Sequence, residues 1–240
     1  NDWKNGWKMN VFGDYLHKTD RSRGNIREWE SDDAETSMDY HRKADWDLFA
    51  AKFSLSYETE KAGTFSLGYD FSHTSGTDYI EYIRALNNGR TRNTELKNSL
   101  YLSYDYTWNN LSLGAGLRYE HIRSDLRETN DSKSQNQTYH NFLPSVSLSY
   151  NTESLQQSLT YSIHTERPPF GVMNDNAVYT DRFTYQKGNL YLKQALTHDL
   201  NYMLFYKFLF FNLNYTCTHN PLVTAFYSMP GNSAVTVSYM

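Results

Sequence analysis

Ten stretches of this chain alternate apolar and polar residues, and the connections between them run short, long, short, long. Period-two alternation is the signature of strands with two unlike faces. Four connections are tight, at residues 58–63, 109–110, 151–154 and 207–208. Between them lie long polar stretches, at about residues 17–46, 73–96, 122–140, 164–196 and 218–234, which read as loops. A soluble sandwich gives no reason for every tight turn to fall at one end. A sheet crossing a membrane does, because such barrels turn tightly on one side and carry longer loops on the other.

The two faces can be assigned residue by residue. Leu111, Leu113, Ala115, Leu117 and Tyr119 share one face of their strand, and Ser112, Gly114, Gly116, Arg118 and Glu120 share the other. The preceding strand matches it, with Leu100, Leu102, Tyr104, Tyr106 and Trp108 against Tyr101, Ser103, Asp105 and Thr107. Asn109-Asn110 joins the pair, and Asn tolerates the positive φ of a two-residue turn. The pattern recurs in Phe49–Tyr57 and Phe65–Phe71, in Val146–Tyr150 and Leu155–Ile163, and in Leu200–Tyr206 and Leu209–Tyr215. Met9, Val11 and Tyr15 open the series, and Val235, Val237 and Tyr239 close it. These stretches reach the 9–11 residues a tilted strand needs to cross a hydrocarbon core. Tyr57, Phe65, Trp108, Tyr150, Tyr206 and Phe208 crowd the tight turns, where an interfacial aromatic girdle belongs. The expected fold is therefore all-β: an antiparallel meander of about ten long strands in a transmembrane barrel.

Composition narrows the function classes. The chain has 240 residues and a formal net charge of −4, so no basic field argues for nucleic acid. No run approaches 18 apolar residues, which excludes a transmembrane helix but not a strand-built span. The single cysteine, Cys217, excludes an intrachain disulfide and any multi-cysteine metal site. The chain opens on polar Asn1-Asp2-Trp3 with neither initiator Met nor signal peptide, and it ends inside a strand pattern at Met240. We therefore expect residues 1–240 to be one partial barrel domain of a longer polypeptide.

Several segments resemble the barrel of TonB-dependent receptors, as found in the outer-membrane β-barrel family abundant in Bacteroidetes. Gly116-Leu117-Arg118-Tyr119-Glu120 resembles that family's Gly-Leu-Arg-Tyr-Glu strand. Phe142-Leu143-Pro144-Ser145-Val146-Ser147-Leu148-Ser149-Tyr150 resembles its Pro-Ser strand. Arg167-Pro168-Pro169-Phe170 and Tyr185-Gln186-Lys187-Gly188-Asn189-Leu190-Tyr191-Leu192-Lys193 resemble the next outer loop, Tyr-Gln-x-Gly-Asn-Pro-x-Leu-Lys-Pro-Glu. Leu190, Gln194 and Ala195 stand where the family carries Pro, Pro and Glu. The resemblance implies a 22-stranded parent barrel with an N-terminal plug, of which this chain would be roughly half without the plug. It also implies residence in the bacterial outer membrane, lipid contact and energised uptake of an iron chelate, vitamin or oligosaccharide. The implied partners are the parent's plug and the TonB energy-transducing complex, both absent from this chain. Two other readings compete: a non-transporting barrel acting in adhesion or surface binding, and a soluble β-sandwich binding module.

No catalytic motif fixes the many Ser, His and Asp residues, and no cofactor or metal site is expected. Ser162 and His164 share a strand face, but that alone specifies no chemistry. All eight histidines map away from the tight turns, toward the outer end. His121, His164 and His198 are candidate ligand contacts at the barrel mouth, since imidazole suits metal chelates. Arg21, Arg23 and Arg27, followed by Glu28, Glu30, Asp32, Asp33 and Glu35, read as a self-paired surface loop. Lys52, Asp70, Asp105, Arg118 and Glu120 are candidate inward-facing groups, placed to pair with one another or to meet a plug or substrate.

Overall fold

In the computed structural model the chain is almost entirely β-sheet, and it describes residues 6–30, 34–59, 61–83, 88–128, 134–173, 177–181, 183–228 and 235–239. The strands run β1 (Trp7–Glu30), β2 (Ala34–Thr59), β3 (Gly63–Ile83), β4 (Gly89–Trp108), β5 (Leu111–Glu128), β6 (Ser134–Asn151) and β7 (Leu155–Glu166). They continue as β8 (Ala177–Asp181), β9 (Thr184–Lys187), β10 (Ala195–Tyr206), β11 (Leu209–His219), β12 (Thr224–Ser228) and β13 (Val235–Tyr239). Nine of them form one antiparallel meander in the order β1-β2-β3-β4-β5-β6-β7-β10-β11. Among the described residues the sheet is open, with β1 and β11 at its edges.

The pairing register carries the apolar face unbroken from strand to strand. Met9 opposes Leu55, Leu55 opposes Leu67, Leu67 opposes Leu102, Leu102 opposes Leu117, and Leu117 opposes Pro144. Further along, Val146 opposes Tyr161, Tyr161 opposes Leu200, and Leu200 opposes Tyr215. Opposed residues share a face, and a one-residue slip would turn every one of them over. This face stays open: Leu102 is 57% exposed, Leu117 49% and Leu213 52%. A continuous apolar surface of that extent is built to meet lipid or a partner, not water.

The tight turns gather at one end, as the sequence predicts. Asn109 takes φ 51° and Gly63 takes φ 79°, the left-handed conformations these turns need. Residue 60 lies outside the described residues. Trp7 opposes Tyr57 at the same edge, with ring centroids 4.6 Å apart.

The other end differs from the sequence reading. Residues 17–46, 73–96 and 122–140, expected as loops, largely continue as strand, so β1 and β2 reach 24 and 26 residues. The cause is an exchange of faces. In the outward phase β5 runs from Leu117 and Tyr119 to Arg123, Asp125 and Arg127. In the inward phase it runs from Arg118 and Glu120 to Ile122 and Leu126, which are 0% and 1% exposed. Near the turns the outer side is apolar and the inner side polar. At the far end the outer side is polar and the inner side is packed against the chain itself. A pattern read for one apolar face stops at that exchange, although the strand does not.

The tenth expected strand also falls elsewhere. Residues Val235–Tyr239 do not extend the meander: β13 pairs antiparallel with β12 and parallel with β9, in a separate four-stranded sheet β12-β13-β9-β8. Tyr185 of β9 packs against Met38, Ile80 and Tyr82, which lie in the inward phase at the far end of β2 and β3.

Candidate functional site

The inner face carries a charge network at the level of the apolar band. Arg118 of β5 donates from Nη1 to Asp70 Oδ2 at 2.7 Å and from Nε to Glu120 Oε1 at 2.8 Å. Lys97 of β4 holds the same Glu120 oxygen at 2.8 Å. Ser99 donates to it at 3.4 Å, and Thr165 of β7 donates to Glu120 Oε2 at 3.4 Å. Glu120 is thus a buried carboxylate (its side chain is 4% exposed) stabilised by two cations and two hydroxyls. Withdrawal from water strengthens each of these interactions and makes each unpaired member costly.

Of the five expected inward groups, Asp70, Arg118 and Glu120 meet directly. Lys52 opposes Asp70 in the register and places Nζ 5.5 Å from the Tyr101 ring centre. Arg118 Cζ lies 5.9 Å from the same ring. Tyr101 therefore links the two cations through its π face. Asp105 stands apart near the tight turns, opposite Thr64 and Gly114. Lys97 was missed because it falls at the margin of a stretch read as loop; its inward phase was the available signal.

Beyond this network the segment between β7 and β10 crosses the inner face. Arg167 forms an ion pair with the buried Glu95 of β4. Phe170 stacks on Trp46 of β2 at 5.3 Å, and Gly76 lies directly beneath the Trp46 ring, where a Cβ would collide. Gln194 and Asn141 exchange amide hydrogen bonds at 2.5 and 3.2 Å, and Gln137 donates to the Leu192 carbonyl at 3.1 Å. Met173, Leu190 and Leu192 close an apolar cluster on Leu126. Leu190 occupies a Pro position of the resembling family, and here its side chain is a buried anchor, 4% exposed.

The candidate histidines divide between faces. His164 lies in the inward phase, with Nδ1 3.1 Å from Asp199 Oδ2. Ser162 opposes Asp199 in the register, but no Ser162–His164 hydrogen bond occurs among the described residues. His121 and His198 lie in the outward phase. His121 opposes His140, with ring centroids 4.9 Å apart, and Tyr119 meets His140 Nδ1 at 2.8 Å. Tyr161 meets His198 Nδ1 at 2.9 Å, and His219 lies edge-on to it at 5.8 Å. The same phase holds His17, His41 and His73, so His164 alone faces inward. The Tyr119–His140 and Tyr161–His198 pairs form a Tyr–His belt where the apolar residues of their strands give way to polar ones. No group of three or more metal-donor side chains is assembled among the described residues. Cys217, opposite His198, is half-buried in the outward phase.

The arginine- and acid-rich stretch expected as a loop is instead the β1–β2 ribbon over much of its length, with Arg21 opposite Lys43 and Arg23 opposite His41. Asp32 and Asp33 lie outside the described residues.

Comparison with known proteins agrees with this geometry. The model of the family described as outer membrane protein beta-barrel family matches residues 3–240. No curated protein sequence matches the chain. Among solved structures, the chain is similar to the ferric citrate transporter FecA in its unliganded form, with a TM-score of 0.60 and 13% identity over 96% of this chain and 34% of that one. It is also similar to the siderophore receptor PirA from Pseudomonas aeruginosa, with a TM-score of 0.44 and 11% identity over 99% of this chain and 54% of that one. The chain therefore spans about a third of the length of FecA. At such identity the FecA likeness establishes a shared fold.

Proposed function

Given that the chain belongs to the outer membrane protein beta-barrel family and so resides in the bacterial outer membrane, we propose that it forms part of the wall of a nutrient receptor. The cargo class is a scarce solute such as an iron chelate, vitamin or oligosaccharide. Import would draw energy from the TonB complex acting through a plug in the parent barrel. The observation that carries this reading is the inner face. There the Asp70–Arg118–Glu120–Lys97 network gathers paired charge on the side that a barrel turns to its interior. In this reading the inner-face groups serve to position charge along the path.

The competing reading, a barrel that binds a surface partner without transport, draws on the β1–β2 ribbon, which extends well past the apolar band. Disrupting the gene in its own bacterium and measuring uptake of each solute class separates the two. The receptor reading predicts loss of uptake of one class, abolished equally by collapsing the proton-motive force. It also predicts reduced uptake in Arg118→Ala at unchanged receptor abundance. Unimpaired uptake of every class together with lost surface attachment would contradict it.

A further inference from the structure

At the far end of the inward phase a cavity of about 340 Å³ lies between the two ends of the β7–β10 connection and strands β10 and β11. Small-molecule sites run from roughly 300 to 1,000 Å³. Its floor is formed by Ala195 and Thr197 of β10, both buried, and the Thr197 hydroxyl lies 3.0 Å from that of Thr218 on β11. Just past β11, Asn220 takes φ 52° and turns the chain, and Pro221 and Leu222 supply an apolar wall. Glu166 and Lys193, at the two ends of the connection, also line the cavity. Arg167 lines it too, but its charge is committed to the buried Glu95. Neither Glu166 nor Lys193 has an ion-pair partner among the described residues, each other included. Both are exposed, so a solute can reach them without displacing the segment.

Two unlike charges, unpaired with each other in one small cavity, select what can fill it. A simple anion would meet Glu166, and a simple cation would meet Lys193. An uncharged solute would desolvate both charges without compensation. A solute carrying an ammonium and a carboxylate at separate points satisfies both. We propose that the cavity binds a zwitterion of the amino-acid or short-peptide class. Its ammonium donates to Glu166, its carboxylate accepts from Lys193, and its apolar part rests on Pro221 and Leu222. Charge-assisted hydrogen bonds of this kind are about twice as strong as neutral ones. The cavity is particular to this chain. Ala195 stands where the family carries Glu, and a Glu side chain at this lining position would project into the space and repel the carboxylate.

The assignment rests on the receptor reading, in which the inward face is the cargo side, and adds an amino-acid or peptide class to the cargo. The test is isothermal titration of the native full-length protein, extracted from its own membrane in detergent. The probes are dialanine, N-acetyl-dialanine, dialanine amide, alanine and maltose. Wild type should bind dialanine at least about tenfold more tightly than either blocked form or maltose. Alanine binding more tightly than dialanine assigns the cavity to free amino acids, and weaker binding assigns it to peptides. Glu166→Gln should bind dialanine and its N-acetyl form alike, and Lys193→Gln should bind dialanine and its amide alike. Each variant lacks the partner that told the two probes apart. Both positions are exposed, so the fold should survive either change. Ala195→Glu should lose binding of every probe. Equal binding of free and blocked dialanine by wild type would overturn the proposal, as would unchanged selectivity in both Gln variants or tightest binding of maltose. Zwitterion binding by a protein whose gene disruption leaves every uptake intact supports the site and contradicts the receptor reading. Lost uptake of another solute class without zwitterion binding defeats this proposal alone.

Discussion

At the residue scale the account turns on Arg118, one guanidinium serving two carboxylates on the inner face. Arg118→Ala leaves Asp70 without its cation and Glu120 with Lys97 alone. Removing one partner of a buried ion pair costs about 3–5 kcal/mol; with Lys97 retained, a loss nearer the lower figure is expected in urea unfolding from lipid vesicles. Glu120→Gln should weaken the same network, and the double variant should cost less than the sum of the two. Additive losses would show that the groups do not act together. Outside the membrane, the Lys43 ammonium and then the Thr19 hydroxyl hold the Asp45 carboxyl below its ordinary value. Arg127 does the same for Asp125. A depressed carboxylate stabilises the fold above its unfolded value, about 4, and that contribution disappears as pH falls through the lower, folded value. Amide protection factors, which remove the intrinsic pH dependence of exchange, should therefore stay flat in the outer halves of β1, β2 and β5 from neutral pH to about 4 and fall only below it. A loss of protection between pH 5 and 7 would contradict the assignment to Asp45 and Asp125.

At the scale of elements, the strands that meet lipid were legible and the strands that meet water were not. Leu111–Tyr119 announces itself because one face is apolar throughout. Arg123–Arg127 does not, because its apolar residues, Ile122 and Leu126, have moved to the inner face under the segment that follows β7. Strand phase puts Asp70, Arg118 and Glu120 on one face, and the register lets them pair there. The pairing of Glu95 with Arg167 was not readable in this way, since it spans 72 positions and depends on where a loop folds. No local pattern reports that. Two substitutions follow from the phase. Leu117→Arg puts a charge on the lipid face between the midplane and the outer edge of the apolar band and should cost about 1–3 kcal/mol. A substitution one residue earlier, Gly116→Ser on the inner face, should cost far less, since its nearest neighbour is the flexible Ser145 hydroxyl. The inward segment tests separately: Glu95→Gln removes the anion paired with Arg167, and limited proteolysis should then cut within residues 167–194 faster than in wild type. An unchanged cleavage rate would mean that the apolar cluster on Leu126 holds the segment without the ion pair.

For the whole molecule, one sheet serves two environments by exchanging its faces partway along each long strand. That is why the chain looks too polar for a membrane protein when averaged and fits one when read strand by strand. The exchange explains the position of the Tyr–His belt, the reach of β1 and β2 into water, and the burial of apolar residues on an inner face that is polar below. It is also the property most exposed to direct measurement. In the native protein reconstituted in lipid vesicles, with Cys217→Ser to remove the single cysteine, nitroxide labels can be placed one at a time along residues 111–128. Their accessibility to oxygen, which partitions into lipid, and to a water-soluble nickel chelate would then be read by electron paramagnetic resonance. From 111 to 119, odd positions should favour oxygen and even positions should not. From 121 to 128, odd positions should become accessible to the chelate while even positions are shielded from both reagents. A single unbroken phase along the strand, or odd positions near 113–117 shielded from oxygen, would contradict the account.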